Sequence, residues 1–206
     1  MNPDSEAKTN QTAVPQKDLG PQKHPAWHAV REWIQVIVIA LVIAIPIRWL
    51  IAEPFIVNGA SMDPTFATGQ FLIVDRVTYR FEPPQRGDVI VFEYPNDPSI
   101  YYIKRIVVLP GESFSIHDGK VFVANAADPG GFYLNDSFVA ADHASYDNIA
   151  TTTMDATHYF VMGDNRSQSS DSRVWGPLDR HFIIGRPIVR LLPITAISVL
   201  PGEESL

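Results

Sequence analysis

Two side chains in this sequence have the chemistry of a nucleophile and a base. Ser61 lies in Gly59-Ala60-Ser61-Met62-Asp63-Pro64-Thr65, a few residues past a long apolar run. Lys104 lies in Tyr101-Tyr102-Ile103-Lys104-Arg105-Ile106-Val107-Val108, a strand-like and almost wholly apolar setting. A hydroxyl becomes a useful nucleophile when a base takes its proton. Lysine has an ordinary pKa of about 10.4, so acting as that base near neutrality needs a fall of roughly two to three pH units, or about 3–4 kcal/mol of differential solvation. Burial supplies changes of that size. Beyond residue 52 the only lysines are Lys104 and Lys120, and Lys120 follows the Asp118-Gly119 turn, where water reaches it. On a period of two, Lys104 shares a strand face with Tyr102 and Ile106, and Arg105 shares the other with Ile103 and Val107. Arginine keeps its proton in a protein, so Lys104 is the candidate base and Arg105 the neighbour whose loss lowers activity only mildly.

Taken singly, each residue has a plainer reading. Strand context alone equally describes a lysine snorkelling from a half-buried strand. A serine three residues before a proline is ordinary turn composition. Gly59 gives the backbone room there, Pro64 fixes the turn that follows, and the Ser61 N–H could serve an oxyanion. A third polar concentration, Gly163-Asp164-Asn165-Arg166-Ser167-Gln168-Ser169-Ser170-Asp171-Ser172-Arg173, holds more charge than a decorative loop between buried strands should. An Asp171–Arg173 or Asp164–Arg166 pair could fix it.

Other chemistries fit less well. Gly59-x-Ser61-x-Asp63 lacks the last glycine of a nucleophile elbow, and Ser61-x-x-Pro64 is not Ser-x-x-Lys. A Ser-His-Asp triad stays open, because His117, His143, His158 and His181 all lie in the body, but none sits in a motif. A calcium loop starting at Asp164 would need an Asp or Asn where Arg166 stands. The chain has no cysteine, which excludes disulfides, thiolate metal sites and a thiol nucleophile.

The elements that must position these groups follow from the apolar pattern. Residues 33–51 read WIQVIVIALVIAIPIRWLI, uncharged from Ile34 to Ile47 and flanked by Trp33 and Trp49. We expect a transmembrane helix over 30–52, preceded by a disordered tail, residues 1–26. The run is longer than the apolar part of a cleavable leader, and no Ala-x-Ala site follows it. Lys8, Lys17, Lys23 and Arg31 precede the span and favour a cytoplasmic N-terminus. From Phe55 onward short β-branched and aromatic runs alternate with Gly and Pro, and His117-Asp118-Gly119-Lys120 marks a hairpin. This body, 53–206, is expected to be mainly β, with a loosely structured insertion over about 124–157. Residues 1–52 hold five Lys/Arg against four Asp/Glu, and residues 53–206 hold eleven against nineteen. An acidic body argues against nucleic acid as a partner.

In combination the three segments resemble type I signal peptidases, membrane proteases with a serine–lysine dyad. Ser61-Met62-Asp63-Pro64-Thr65 is similar to the family's serine box, Tyr102 to Glu112 to its lysine box, and Gly163 to Arg173 to its last box. Arg86-Gly87-Asp88-Val89-Ile90-Val91-Phe92 also fits a family strand, and the resemblance covers residues 33–193. It implies an antiparallel β catalytic domain of signal-peptidase/LexA-like type outside the cytoplasm, and cleavage of secretory precursors after Ala-x-Ala-type sequences. The setting would be the plasma membrane or a thylakoid membrane, with the lipid bilayer and the export translocon as neighbours and no cofactor or metal. It makes Ser61 the nucleophile and Lys104 the base. Ser169 would hydrogen-bond the lysine, and Asp164, Asp171 and Arg173 would hold the loop. Phe55, Val57, Met62 and Ile103 would border a shallow substrate cleft. Gly59 departs from members that carry a serine there as a second oxyanion donor. Within the same fold, a processing protease dedicated to one substrate and a catalytically inert binding domain remain alternatives.

Overall fold

The structure, a computed structural model, describes residues 26–50 and 52–203. The tail expected over 1–26 lies outside the described residues except for Ala26. The chain divides into two units, 1–43 and 44–206. Helix α1, Ala26–Leu50, begins in the first and ends in the second. Its apolar side chains from Ile34 to Ile45 are exposed. Side chains in α1 are described at Trp27 and at 30–45, and among the described residues no helix is long and apolar enough to cross a membrane.

The body of 44–206 is built from short antiparallel strands. In chain order they are β1 (Ala52–Ile56), β2 (Phe71–Asp75), β3 (Val89–Tyr94), β4 (Asp97–Val108), β5 (Ser113–His117), β6 (Lys120–Ala124), β7 (Phe132–Tyr133), β8 (Ile149–Thr153), β9 (His158–Met162), β10 (Leu178–Asp179), β11 (Ile183–Leu192) and β12 (Ser198–Val199). A single turn of helix, α2 (Ser172–Trp175), precedes β10. The larger sheet runs β1-β2-β11-β3-β4-β9-β10, with β12 on β11, and the smaller runs β7-β6-β5-β8.

The expectation of a mainly antiparallel β body therefore holds. The segment 124–157 is more ordered than its small, polar composition suggested. Phe132-Tyr133 pairs with β6 and Ile149–Thr153 pairs with β5, so the segment supplies both edges of the small sheet. Strand pairing depends on backbone groups that composition does not report.

Strand β4 organises the body. Ile103 packs with Val57, Met62, Phe66, Leu72 and Val89. Ile106 packs with Ile90, Phe92, Tyr159 and Val161. Val107 and Val108 pack with Phe114, Ile116, Val121 and Val123 of the small sheet. The second half of β4 is thus covered on both faces, and alternation cannot leave one side wet. Lys104 is buried as a neutral base requires, at 3% exposed, but the reading of Arg105 as a neighbour of minor consequence is corrected, since Arg105 is 0% exposed. Arg105 donates from Nε and Nη2 to both carboxylate oxygens of Asp164, at 2.9 and 2.6 Å. Its Nη1 donates to the carbonyls of Gly87 and Gly202, at 2.9 and 2.6 Å. The ring of Phe138 covers the guanidinium at 4.3 Å.

Arg105 is consequently a structural keystone. Replacing it with Ala leaves the buried Asp164 carboxyl without its partner, a change that costs about 3–5 kcal/mol. Urea denaturation of the detergent-solubilised chain should show that loss. Activity that falls only mildly, with an unchanged midpoint, would contradict it.

Candidate active site

Strand register brings the site together. In the β4–β9 pair Arg105 lies opposite Met162, so the loop that opens at Gly163 leaves its strand beside Lys104. In the β3–β4 pair Ile90 lies opposite Lys104. The Ser61 turn fills the connection from β1 to β2 and is closed at its base by Val57 N–H to Gln70 O and Gly69 N–H to Val57 O, both 2.9 Å. Phe66 and Met62 anchor it in the core. Gly59 has φ +105°, a conformation that L side chains rarely adopt. Its N–H donates to Thr68 Oγ1 at 3.1 Å, and the Thr68 hydroxyl donates back to its carbonyl at 3.0 Å.

Lys104 Nζ lies 2.8 Å from Ser61 Oγ and donates to the Ile103 carbonyl at 3.0 Å. The face of Tyr102 lies 5.0 Å from the same nitrogen. Burial pushes the Lys104 ammonium down to about 8, against the opposing pull of the Asp171 and Asp164 carboxylates. Once the amine is neutral, the same contact runs the other way, with the Ser61 O–H donating to the nitrogen lone pair. That is the geometry of a hydroxyl about to lose its proton.

The pair sits on a cleft of about 260 Å³ lined by Phe55, Val57, Gly59, Tyr101, Ile103, Gln168 and Ser170, among others. Tyr101 packs edge-on against Phe55 with ring centroids 5.4 Å apart. Met62, expected at the cleft border, is 1% exposed and belongs to the core beneath the turn. The residue after an outward-facing serine turns inward, which a list of apolar neighbours cannot reveal. None of the four histidines lines the cleft. His158 and His181 pair with Asp179, and His158 also with Asp155.

Behind the pair, the loop 163–173 is held by charge-assisted bonds. Asp171 accepts from the Gly163 N–H at 3.0 Å and from Arg173 Nε and Nη2 at 2.8 and 2.7 Å. Burial alone would raise its pKa. Arg173, the Gly163 N–H and the nearby Ser169 hydroxyl outweigh burial and hold the carboxyl below the usual range. The Asp171–Arg173 alternative is thus the pair that forms. Asp164 instead joins Arg105 and accepts from Thr65 Oγ1 at 2.6 Å, while Arg166 pairs with Asp136 at 2.8 Å. The Asn165 N–H donates to the Ser61 carbonyl at 3.0 Å.

Ser169 departs from expectation. Its buried Oγ makes no hydrogen bond to Lys104, whose Nζ contacts Ser61 and Ile103; it lies toward Asp171, whose carboxyl it helps to hold low. Ser169 and the Ser61 carbonyl both press on Gly163, where an added Cβ would come within 2.4 Å of the first and 2.3 Å of the second. Sequence reading missed Arg105, Thr65, Asp136 and Phe138 as supports. Thr65 was visible within the serine box, whereas Asp136 and Phe138 carried no local signal.

An antiparallel β body presenting a serine hydroxyl to a buried lysine amine at a peptide-sized cleft is the layout of a serine peptidase. A family model described as signal peptidase, peptidase S26, matches residues 30–192. A probable signal peptidase I-1 from Synechocystis sp. is 36% identical over 174 residues, covering 81% of this chain and 85% of that protein. A signal peptidase I from Leptolyngbya laminosa is 33% identical with both chains fully covered. The thylakoidal processing peptidase 1 of Arabidopsis thaliana is 32% identical over 77% of this chain and 47% of its own length. The chain belongs to the signal peptidase S26 family, and it is a serine endopeptidase.

Two outcomes follow from the geometry. Activity should rise with pH through about 8 as Lys104 loses its proton. A kcat/KM profile with its ascending limb near 6.5, abolished by replacing one histidine, would contradict that. Gly163→Ala should displace the Ser61 carbonyl and lower kcat by about 10²-fold with KM little changed, since an ångström of misplacement costs that much. Steady-state kinetics on a peptide substrate check it, and wild-type kcat would refute it.

Proposed function

We propose that this chain is a membrane-anchored signal peptidase I that removes signal peptides from exported precursors by way of Ser61 and Lys104. The observation that carries the reading is the 2.8 Å contact between Ser61 Oγ and a lysine nitrogen that burial leaves 3% exposed. Neutral Lys104 takes the Ser61 proton as the oxygen attacks the scissile carbonyl. The developing oxyanion is met by the Ser61 N–H, which has no intramolecular acceptor among the described residues. Gly59 offers no second side-chain donor, and its own N–H is engaged by Thr68. The protonated lysine passes its proton to the leaving amine, and an acyl-enzyme remains on Ser61. Lys104, neutral again, activates the water that releases the signal peptide. The Ile103 carbonyl, which accepts from Lys104 Nζ, orients the lysine amine through these steps.

An extended precursor segment suits the cleft. Phe55, Val57, Tyr101 and Ile103 give the cleft an apolar lining, which suits the small apolar side chains of Ala-x-Ala-type sequences. Exposed edge strands beside the cleft can take the peptide as an added strand. The apolar sequence of residues 33–51 supports α1 as the anchor that holds the site at the bilayer surface. With the N-terminus cytoplasmic, the body faces the compartment into which precursors emerge, in a plasma or thylakoid membrane near the export translocon.

The test is precursor processing by the detergent-solubilised chain. Ser61→Ala and Lys104→Ala should each lower kcat/KM by at least about 10³-fold, as groups that act as a unit do. Full turnover by a folded Lys104→Ala protein would sink the dyad. Cleavage confined to one of several Ala-x-Ala precursors would instead indicate a dedicated processing protease.

A further inference from the structure

The segment that joins β7 to β8 lies against the active-site loop in a way its composition gave no reason to expect. Arg166, 4% exposed, donates from Nη2 to Asp136 Oδ1 at 2.8 Å and from Nε to the Gly163 carbonyl at 3.0 Å. The ring of Phe138 covers both Arg105, at 4.3 Å, and Arg166, at 5.7 Å. Arg173 Nη1 reaches Ser145 Oγ at 2.9 Å and the Asp147 carboxylate. At the end of the short turn Ala141–His143, His143 Nδ1 lies 3.0 Å from the carbonyl of Asp63. A carbonyl only accepts, so Nδ1 carries the proton and donates. The other ring nitrogen is 3.9 Å from the Asp63 carboxylate, beyond hydrogen-bonding distance.

These contacts fall on both halves of the site. Asp63 is two residues past Ser61 in the nucleophile turn. Arg166 stands beside Asn165, whose N–H holds the Ser61 carbonyl, and Arg166 also holds the carbonyl of Gly163, which packs against Ser61. We infer that residues 134–147 form a clamp that fixes the Ser61 turn to the 163–173 loop, with Asp136 and His143 as its positioning residues. The inference rests on the assignment of Ser61 as nucleophile.

The clamp acts through geometry. A hydroxyl held 2.8 Å from its base attacks productively only when its carbon scaffold is fixed to a fraction of an ångström. The Ser61 turn is fastened to the core by Phe66 and Met62 and to the loop by Asn165 and Thr65. Among the described residues, His143 supplies the one hydrogen bond that ties the turn to the small-sheet side of the body. Asp136 and Arg166 share a mostly buried ion pair, with side chains 24% and 3% exposed, so removing the carboxylate leaves a buried guanidinium partly unmatched. Asp147 is half-exposed, and its pair with Arg173 contributes little.

The experiment compares wild type, His143→Ala, His143→Asn, Asp136→Asn, Asp136→Glu and Ser61→Ala on one precursor peptide. His143→Ala should lower kcat about five- to tenfold with KM unchanged, the scale of a small misplacement. His143→Asn, which returns an N–H donor near the Nδ1 position, should recover to within about twofold of wild type by the same argument. Asp136→Asn should lower kcat in the same way, and Asp136→Glu should restore part of it. Hydrogen–deuterium exchange supplies a readout that needs no turnover. Amides of 58–68 should exchange at least about fivefold faster in His143→Ala, while β4 keeps its protection.

Unchanged kcat and unchanged exchange in His143→Ala overturn the clamp, and so does a kcat loss that only tracks the lost folded fraction. Turnover by Ser61→Ala overturns the assignment of the nucleophile instead, and the exchange data still decide whether the clamp exists.

Discussion

A primary amine held out of water within 2.8 Å of a hydroxyl is the constraint around which the body is arranged. Neither member has useful reactivity alone. The serine needs a base, and the lysine is a base near neutrality only while its surroundings disfavour charge. The difference between its ordinary value of 10.5 and about 8 corresponds to about 3 kcal/mol. That term opposes folding: as pH drops from 10.5 to about 8 the unfolded chain takes up the proton first, so the fold loses stability over that window and then levels off. The three apolar clusters that meet on β4 supply the burial that offsets it.

Arg105 and Asp164 solve the adjoining problem. A charged loop must approach a neutral lysine without flooding it with negative potential. Asp164 lies bidentate on Arg105, and Asp171 lies bidentate on Arg173, so each carboxylate next to the amine is matched by a guanidinium. Their residual pull still raises the lysine's pKa against burial, and burial prevails. Arginine suits both positions because its planar fork satisfies two carboxylate oxygens and further carbonyls at once. Two adjacent residues on one strand, Lys104 and Arg105, thus carry opposite duties: one must lose its proton and the other must keep it.

What the sequence revealed and what it hid divide along a physical line. Ser61, Lys104 and the polar loop were legible because reactive residue types stand out against an apolar background. The β texture of the body was legible through its short branched and aromatic runs. The burial of Arg105 was hidden because alternation along a strand names two faces and cannot say that both are covered; a second sheet decides that. Met62 was misplaced for a similar reason, since a turn that aims one side chain outward aims the next inward. Ser169 was assigned a bond to Lys104 that the structure gives to Ser61 and the Ile103 carbonyl. Asp136, Phe138 and His143 lie in one segment whose partners, Arg166, Arg105 and Asp63, are far away in sequence, and no local pattern announces such contacts.

The ionisation of Lys104 can be observed directly. Lysine-selective ¹³C labelling of the detergent-solubilised chain, with the Lys104 Cε signal assigned by its absence in Lys104→Met, gives a titration curve for this one amine. A midpoint near 8 is expected. A midpoint at about 10.4, the value of a lysine in water, would contradict the neutral base on which the chemistry depends.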